Sequence, residues 1–199
     1  MPVGARIRWS LALYASVMTI YFAAGHAARP PWISLRTRLD DAIPFVPEAM
    51  PGYALAYVVP LALLFVATTP EGMRRMARAC LLAYAMAAPF FVLLPVRDAD
   101  PPVEGVTWAE RALLWNRAAD VTKNAFPSMH VGLAVLLGLV AWRHHRAWGV
   151  ALFACAAVIS ASTLLVKQHF IVDLPAGALV AVAAFTVVYG REAAWRRTS

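Results

Sequence analysis

The sequence predicts an all-α polytopic membrane protein, a six-transmembrane-helix bundle with amphipathic helices in its outer loops. The chain is 61% hydrophobic and 15% charged, whereas soluble domains usually carry roughly 25% charged residues. Six stretches approach the roughly 20 mostly apolar residues that a membrane-spanning helix needs. They cover residues 9–28, 53–69, 76–96, 126–142, 148–167 and 173–190. We expect residues 1–199 to form a single integral-membrane domain.

The first apolar stretch has two interpretations. It follows Arg6 and Arg8 and ends in the small residues Gly25 to Ala28, which is also the layout of a cleaved signal peptide. Its apolar part is longer than a usual signal core, so we favour a retained helix. Cleavage would leave five spans and would not change the side on which the other loops lie.

Two long polar segments separate the spans. Residues 29–52 contain five prolines and predict an ordered outer loop that covers the bundle. Residues 97–125 include a helical pattern over 107–120, with Trp108 and Trp115 on the face that repeats every three or four residues. This helix could lie in the headgroup layer or pack on the top of the bundle.

The basic residues predict the orientation. Ten of the 18 lysines and arginines, but few of the acidic residues, fall at the two termini and in the turns at 70–78 and 143–147. Lysine and arginine accumulate on the cytoplasmic side of membrane proteins. We therefore expect a bacterial inner-membrane protein with cytoplasmic termini and with the long loops facing the periplasm. Because the positive charge follows the loops, we expect no nucleic-acid partner.

One run at the outer end of the fifth stretch places ionisable groups where the chain leaves the membrane. It holds Lys167, His169 and Asp173. Ionisable groups at such a boundary are costly and indicate a functional site. Taken singly, Asp173 could be a helix cap and Lys167 could extend to the interface.

A second run reaches the same depth. Residues 123–130 include Lys123, Asn124, Ser128 and His130, and Pro127 suits the first turn of a helix. The free N–H groups of a helix N-terminus bind anions. Two histidines, a carboxylate, a lysine and a helix N-terminus predict a phosphate site, in which one imidazole attacks phosphorus and the other protonates the leaving oxygen. The carboxylate would orient the attacking ring, and no metal or other cofactor is needed.

These residues resemble two motifs of the type 2 phosphatidic acid phosphatase (PAP2) superfamily. Pro127-Ser128-Met129-His130 is similar to its second motif, Pro-Ser-x-His, and Ser162 with His169 and Asp173 to its third, Ser-x6-His-x3-Asp. The surrounding residues look most like the inositol phosphorylceramide synthase-like branch. The resemblance implies an outward-facing site with His169 as the phosphohistidine, His130 as the general acid and Asp173 as the orienting carboxylate.

The sequence departs from the family pattern in its cations. The first motif, Lys-x6-Arg-Pro, is not found, and Thr163 stands where an arginine usually follows the third-motif serine. We expect Lys167, Lys123 or Arg97 to contact the substrate phosphate instead. Ser128 and Asn124 complete the predicted substrate-binding set.

The predicted function is therefore metal-independent phosphate removal or transfer on a membrane lipid, through a phosphohistidine. The substrate would be a phospholipid, a polyprenyl phosphate or a sphingolipid phosphate. An alternative is a headgroup transferase like the inositol phosphorylceramide synthases, with an alcohol rather than water as the acceptor. A non-catalytic transporter or assembly subunit is a third possibility, but the ionisable residues gather at the ends of the spans rather than within them.

Overall fold

The fold consists of helices. A computed structural model describes residues 1–97, 100–120 and 124–195, and for residues 63 and 191–195 the backbone alone. The nine α-helices within this part of the chain are α1 (Val3–Ala27), α2 (Arg38–Ala42), α3 (Met50–Val58), α4 (Leu63–Val66), α5 (Pro70–Leu93), α6 (Trp108–Ala119), α7 (Met129–His144), α8 (Arg146–Leu165) and α9 (Asp173–Trp195). No β-strand occurs in the described ranges; Ile33 and Val96 form an isolated parallel bridge.

Within the part of the chain that the structure describes, five segments are long and apolar enough to cross a membrane: Val3–Ala27, Pro47–Val66, Pro70–Leu93, Arg146–Leu165 and Asp173–Gly190. The prediction of an all-α membrane protein is confirmed to this extent. A sixth apolar helix, α7, has 16 residues and is shorter than the roughly 20 residues of a typical span. The six-span count and the membrane position of the loop helices therefore stay predictions.

Helix α7 lies at the centre of the bundle. It packs against α8, α9 and α5, while α1 pairs with α5 and α3 packs on α8. Ten of the 16 residues of α7 are buried, including Leu136 and Leu137 with no exposed surface. Because its sides are covered by neighbouring helices, its first turn can hold a buried polar site.

Local chemistry explains where several helices begin and end. Thr69 caps α5 through a bond from the Gly72 N–H, with Pro70 as its first residue, and Thr107 forms a capping box with Glu110 at the start of α6. Both are favoured N-terminal signals. Pro60 lies in a 3₁₀ segment, Val59–Ala62, that joins α3 to α4, because proline removes a hydrogen bond that an α-helix would need.

Candidate active site

The starts of α7 and α9 are held together by backbone contacts. The Ser128 N–H donates to the Asp173 carbonyl over 3.0 Å. A Cβ atom on Gly177 would come within 2.0 Å of the Ser128 carbonyl oxygen. Glycine at 177 therefore allows the two helix ends to approach closely, which brings the motif on α7 against the loop that precedes α9.

The two predicted histidines face each other across this junction. His130 Nδ1 lies 3.1 Å from His169 Nε2, and Ser128 Oγ lies 3.0 Å from the same His169 nitrogen. His169 is 6% exposed and Ser128 is fully buried, whereas His130 is partly exposed. Ser128 is also the N-cap residue of α7, so the helix N-terminus lies beside the imidazole pair.

Asp173 determines which nitrogen of His169 is available. Its Oδ2 lies 3.3 Å from His169 Nδ1 and accepts the Phe170 N–H over 2.8 Å. Asp173 is fully buried. Because the carboxylate accepts the hydrogen of Nδ1, the Nε2 lone pair faces Ser128 and His130. This is the orientation of an imidazole nucleophile with a supporting carboxylate.

Sequence reasoning missed a group of polar side chains behind His130. Tyr53 Oη lies 3.1 Å from His130 Nε2, and Asn116 bridges Tyr53 to Gln168 through bonds of 3.3 Å. All three are buried. A signal was present for two of them: Gln168 directly precedes His169, and Tyr53 and Tyr57 lie one helical turn apart within an apolar stretch.

A large, mainly apolar cavity reaches His130. Its volume is about 630 Å³, and it lies between α1, the α3–α4 segment, α5, α6 and α7. A smaller cavity of about 300 Å³ continues it and shares four lining residues with it. Apolar side chains predominate in the wall of the larger cavity, which includes Met18, Phe22, Ala56, Pro60 and Leu133.

A separate cavity, of about 540 Å³, reaches His169 from the loop side. Its wall combines apolar side chains with the charged groups of Arg36, Asp40, Asp41, Asp100 and Lys167. It is the more polar of the two cavities, and we call it the polar cavity. Arg36 forms an ion pair with Asp41, and Arg117, which is not part of the wall, pairs with Asp100 over 3.1 Å.

Asp40 supports the wall of this polar cavity. Its Oδ1 accepts the Ile171 N–H over 2.7 Å, and its Oδ2 accepts the hydroxyl and the N–H of Thr37. Burial alone would raise the pKa of Asp40, but the bonds from Thr37 and Ile171, with the charge of Lys167, lower this pKa below its ordinary value. Asp40 is therefore a carboxylate at neutral pH.

The structure distributes the predicted substrate-binding residues over several places. Ser128 joins the histidine pair. Asn124 lines a void of about 10 Å³ beside both histidines, and its Nδ2 donates to the Tyr21 carbonyl. The Lys167 ammonium donates to the carbonyls of Asp40 and Ile43 over 2.8 and 2.6 Å.

The two remaining predicted cations lie elsewhere. Arg97 is exposed and is not part of the wall of either cavity that reaches a histidine. Lys123 lies outside the described residues. The roles assigned to these residues from the sequence stay predictions.

The sequence around this site matches a known protein family. The family model described as the PAP2 superfamily matches residues 33–187 of the 199. Both histidines, Asp173 and most of the walls of the two cavities fall within the matched range. Curated proteins and solved structures gave no significant match.

Proposed function

The chain belongs to the PAP2 superfamily, and we propose that it is a membrane lipid phosphatase or phosphotransferase that forms a phosphohistidine on His169. Membership in the family suggests phosphatase or phosphotransferase activity on phosphate-containing substrates. The observation that supports the proposed mechanism most directly is the 3.1 Å contact between His130 Nδ1 and His169 Nε2, with Asp173 on the other nitrogen of His169.

In the first step, the lone pair of His169 Nε2 attacks phosphorus, and the bond from phosphorus to the leaving oxygen breaks. His130 gives the proton on Nδ1 to that oxygen, so that a lipid monophosphate leaves as its alcohol and a lipid diphosphate leaves as its monophosphate. Asp173 stabilises the ring of His169 as it becomes positively charged. The products of this step are the phosphohistidine and the protonated leaving group.

In the second step, an acceptor hydroxyl attacks phosphorus on the phosphohistidine. His130, which now has a lone pair on Nδ1, removes the proton of the acceptor, and the nitrogen–phosphorus bond breaks. Water as the acceptor yields phosphate, and an alcohol yields a new phosphate ester. Because His169 must start neutral and His130 protonated, we expect a bell-shaped dependence of rate on pH.

The phosphoryl oxygens need donors in both steps. The first N–H groups of α7 and the Ser128 hydroxyl lie beside the histidine pair and supply hydrogen bonds without an added cation. We keep Asn124, Lys167, Lys123 and Arg97 as candidate contacts to the rest of the substrate. Asn124 and Lys167 are supported by their positions in the walls of a void and a cavity that reach His169.

The test is phosphate release by the purified protein from phosphatidate, a polyprenyl diphosphate and a sphingolipid phosphate. We expect His169→Ala to lower the rate by roughly a thousandfold or more, since it removes the nucleophile. Labelled phosphate should be trapped on the wild-type protein and not on this variant. The matched control is His145→Ala, an exposed histidine between α7 and α8, which should retain the wild-type rate. Full activity of His169→Ala would contradict the mechanism.

The second candidate is a headgroup transferase similar to the inositol phosphorylceramide synthases. The observation that favours it is the polar cavity beside His169, whose volume of about 540 Å³ exceeds what a water molecule needs, about 30 Å³. Adding a polyol such as inositol, or a lipid alcohol, to the same assay separates the two candidates. A transferase forms a new phosphate ester at the expense of free phosphate, whereas a phosphatase releases phosphate at an unchanged rate.

We further propose that six helices cross the bacterial inner membrane, with α7 as the shorter crossing, cytoplasmic termini and the histidines near the periplasm. The basic turns at 70–78 and 143–147 support this orientation. In intact cells, an impermeant thiol reagent should label Glu104→Cys and should not label His144→Cys, two exposed positions, in a background without Cys80 and Cys155. The opposite labelling pattern would reverse the orientation.

A further inference from the structure

A buried phenol contacts the nitrogen of His130 that points away from His169. Tyr53 Oη lies 3.1 Å from His130 Nε2, and the two ring centroids are 5.0 Å apart. Tyr53 has no exposed surface. Which ring nitrogen of a histidine carries a hydrogen depends on the bond that the other nitrogen makes, so Tyr53 can influence how His130 is protonated.

Neighbouring side chains direct the hydrogens around Tyr53. The Tyr57 hydroxyl donates to Asn116 Oδ1 over 2.7 Å. Asn116 Nδ2 then donates to Tyr53 Oη and to Gln168 Oε1, each over 3.3 Å. The hydroxyls of Tyr53 and Tyr57 lie 3.3 Å apart. Because Asn116 presents its oxygen to Tyr57, it presents N–H to Tyr53, which is an acceptor in that bond.

In the charged form of His130, the hydrogens around Tyr53 can satisfy these contacts together. Tyr53 Oη has two lone pairs and one hydrogen. Asn116 donates to one lone pair, and the Tyr53 hydrogen can go to Tyr57 Oη. The second lone pair is satisfied when His130 Nε2 carries a hydrogen. When Nδ1 also carries the hydrogen that the proposed acid gives up, His130 is an imidazolium. In neutral His130, the Tyr53 hydroxyl donates to Nε2 instead, and the ring hydrogen is on Nδ1.

We propose that Tyr53 is a positioning residue that stabilises the imidazolium form of His130 by accepting Nε2–H, and that it thereby assigns the Nδ1 hydrogen to the reacting oxygen. The inference rests on the proposed function, in which His130 is the acid. In the first step, His130 gives up the Nδ1 hydrogen and keeps Nε2–H on Tyr53. In the second step, the acceptor returns a hydrogen to Nδ1. Tyr53 therefore keeps one bond to Nε2–H while the proton transfers take place at Nδ1.

Other titratable groups surround His130, and their charges influence its response to pH. Tyr53 and Tyr57 face it from α3, and His169 faces it from the loop before α9. Asp120, at the end of α6, lines the small void beside both histidines and accepts a hydrogen bond from the Tyr21 hydroxyl on α1. Further tyrosines in the wall of the apolar cavity next to His130 are Tyr14 and Tyr84.

The experiment compares Tyr53→Phe with the wild type by two measurements. Ring ¹⁵N chemical shifts of labelled His130 in the resting protein distinguish the imidazolium from each neutral tautomer. We expect Tyr53→Phe to lose the imidazolium at a pH at which the wild type keeps it. The alkaline limb of the kcat/KM profile should move about one to two pH units to the acid side, because a hydrogen bond from a charged group contributes about this much. The rate at neutral pH should fall about tenfold or more, with partial recovery on acidification.

Two further tyrosine variants complete the design. Tyr57→Phe keeps Tyr53 Oη as the acceptor of His130 Nε2–H but removes the hydroxyl to which Tyr53 donates. We therefore expect a smaller shift of the alkaline limb in the same direction. Tyr189→Phe, on α9 beside Arg143, should retain the wild-type profile. A wild-type ¹⁵N spectrum and pH profile in Tyr53→Phe would overturn the inference, even with His169→Ala inactive. Full activity of His169→Ala would instead overturn the proposed function. Because the ¹⁵N measurement does not depend on turnover, it tests the role of Tyr53 separately from that function.

Discussion

The two cavities that reach the histidines differ in what builds them. The cavity at His130 lies between the long helices, and apolar side chains predominate in its wall. The cavity at His169 lies between the segments at 36–45 and 100–102 and the end of α8, and its wall includes Arg36, Asp40, Asp41 and Lys167. An apolar and a polar compartment therefore meet at one pair of imidazoles.

This difference gives the proposed reaction a direction. The proposed acid, His130, lies at the apolar compartment, so we expect the leaving oxygen to belong to the apolar part of the substrate. His169, the proposed phosphoryl carrier, borders the polar compartment, through which we expect a polar acceptor to enter. The leaving lipid would depart into the apolar compartment, and the acceptor would then take the same position beside His130, because both exchange a proton with His130. Variants that change one compartment at a time test this assignment.

The largest effect is expected from filling the apolar compartment. Ala56 lies on α3 in its wall, and Ala56→Phe places a ring in the space assigned to the lipid chain. Crowding a packed site costs about 1–3 kcal/mol, so turnover of long-chain lipid phosphates should fall about 10- to 100-fold. Turnover of a short-chain, water-soluble phosphate ester should stay within about twofold of the wild-type rate, because the histidines are unchanged. Steady-state kinetics on the two substrates measure this difference.

The matched control is Val58→Phe, a position on the same helix that is 53% exposed. It adds the same ring outside the cavity and should leave both rates unchanged. Equal losses on long and short substrates in Ala56→Phe would show that the ring disturbs the histidines instead. In that case, the apolar cavity would lose its assignment to the lipid chain.

The sequence predicted the contact between the two motifs, because both lie at helix ends. His130 follows Ser128, which caps α7, and His169 lies four residues before Asp173, which begins α9. Such positions are visible as polar residues at the boundaries of apolar stretches. The predicted spans differ from the helices by a few residues, since hydropathy does not detect cap residues such as Thr69.

The sequence could not predict how the polar network behind His130 is connected. Tyr53 and Asn116 are 63 positions apart, and their contact depends on how α6 packs on α3. A tyrosine within an apolar stretch is also typical of a membrane interface. Lys167 shows a related limit. Its backbone is in the left-handed region, with φ of 60°. Its ammonium donates to one carbonyl within α2 and one directly after it, both over 120 positions away, and spacing alone does not reveal this contact.

The smallest effect is expected from loosening the polar compartment. Asp40→Ala removes the acceptor of the Ile171 N–H, and a hydrogen bond to a charged group contributes about 1.5–3 kcal/mol. We expect transfer to an added polyol to fall about tenfold relative to hydrolysis, with a smaller loss of hydrolysis itself. The product ratio in one reaction measures this effect. Asp40→Asn retains an acceptor and should lie between Asp40→Ala and the wild type.

The pH dependence of that ratio gives a second check on the polar compartment. The pKa of Asp40 is lowered in the folded protein, so its contribution to stability is present above the unfolded value, about 3.9. It is lost only as the pH falls through the lower folded value. Titration of Asp40 should therefore not change the wild-type product ratio between pH 5 and 8, which lies about one unit or more above the unfolded pKa. The loss of transfer in Asp40→Ala should be constant over the same range. A loss of transfer that disappears within this range would mean that another group supports the wall of the polar cavity.

An unchanged product ratio in Asp40→Ala would contradict the proposal that the acceptor enters through the polar cavity. The assignment of the apolar cavity to the lipid chain would then stand alone.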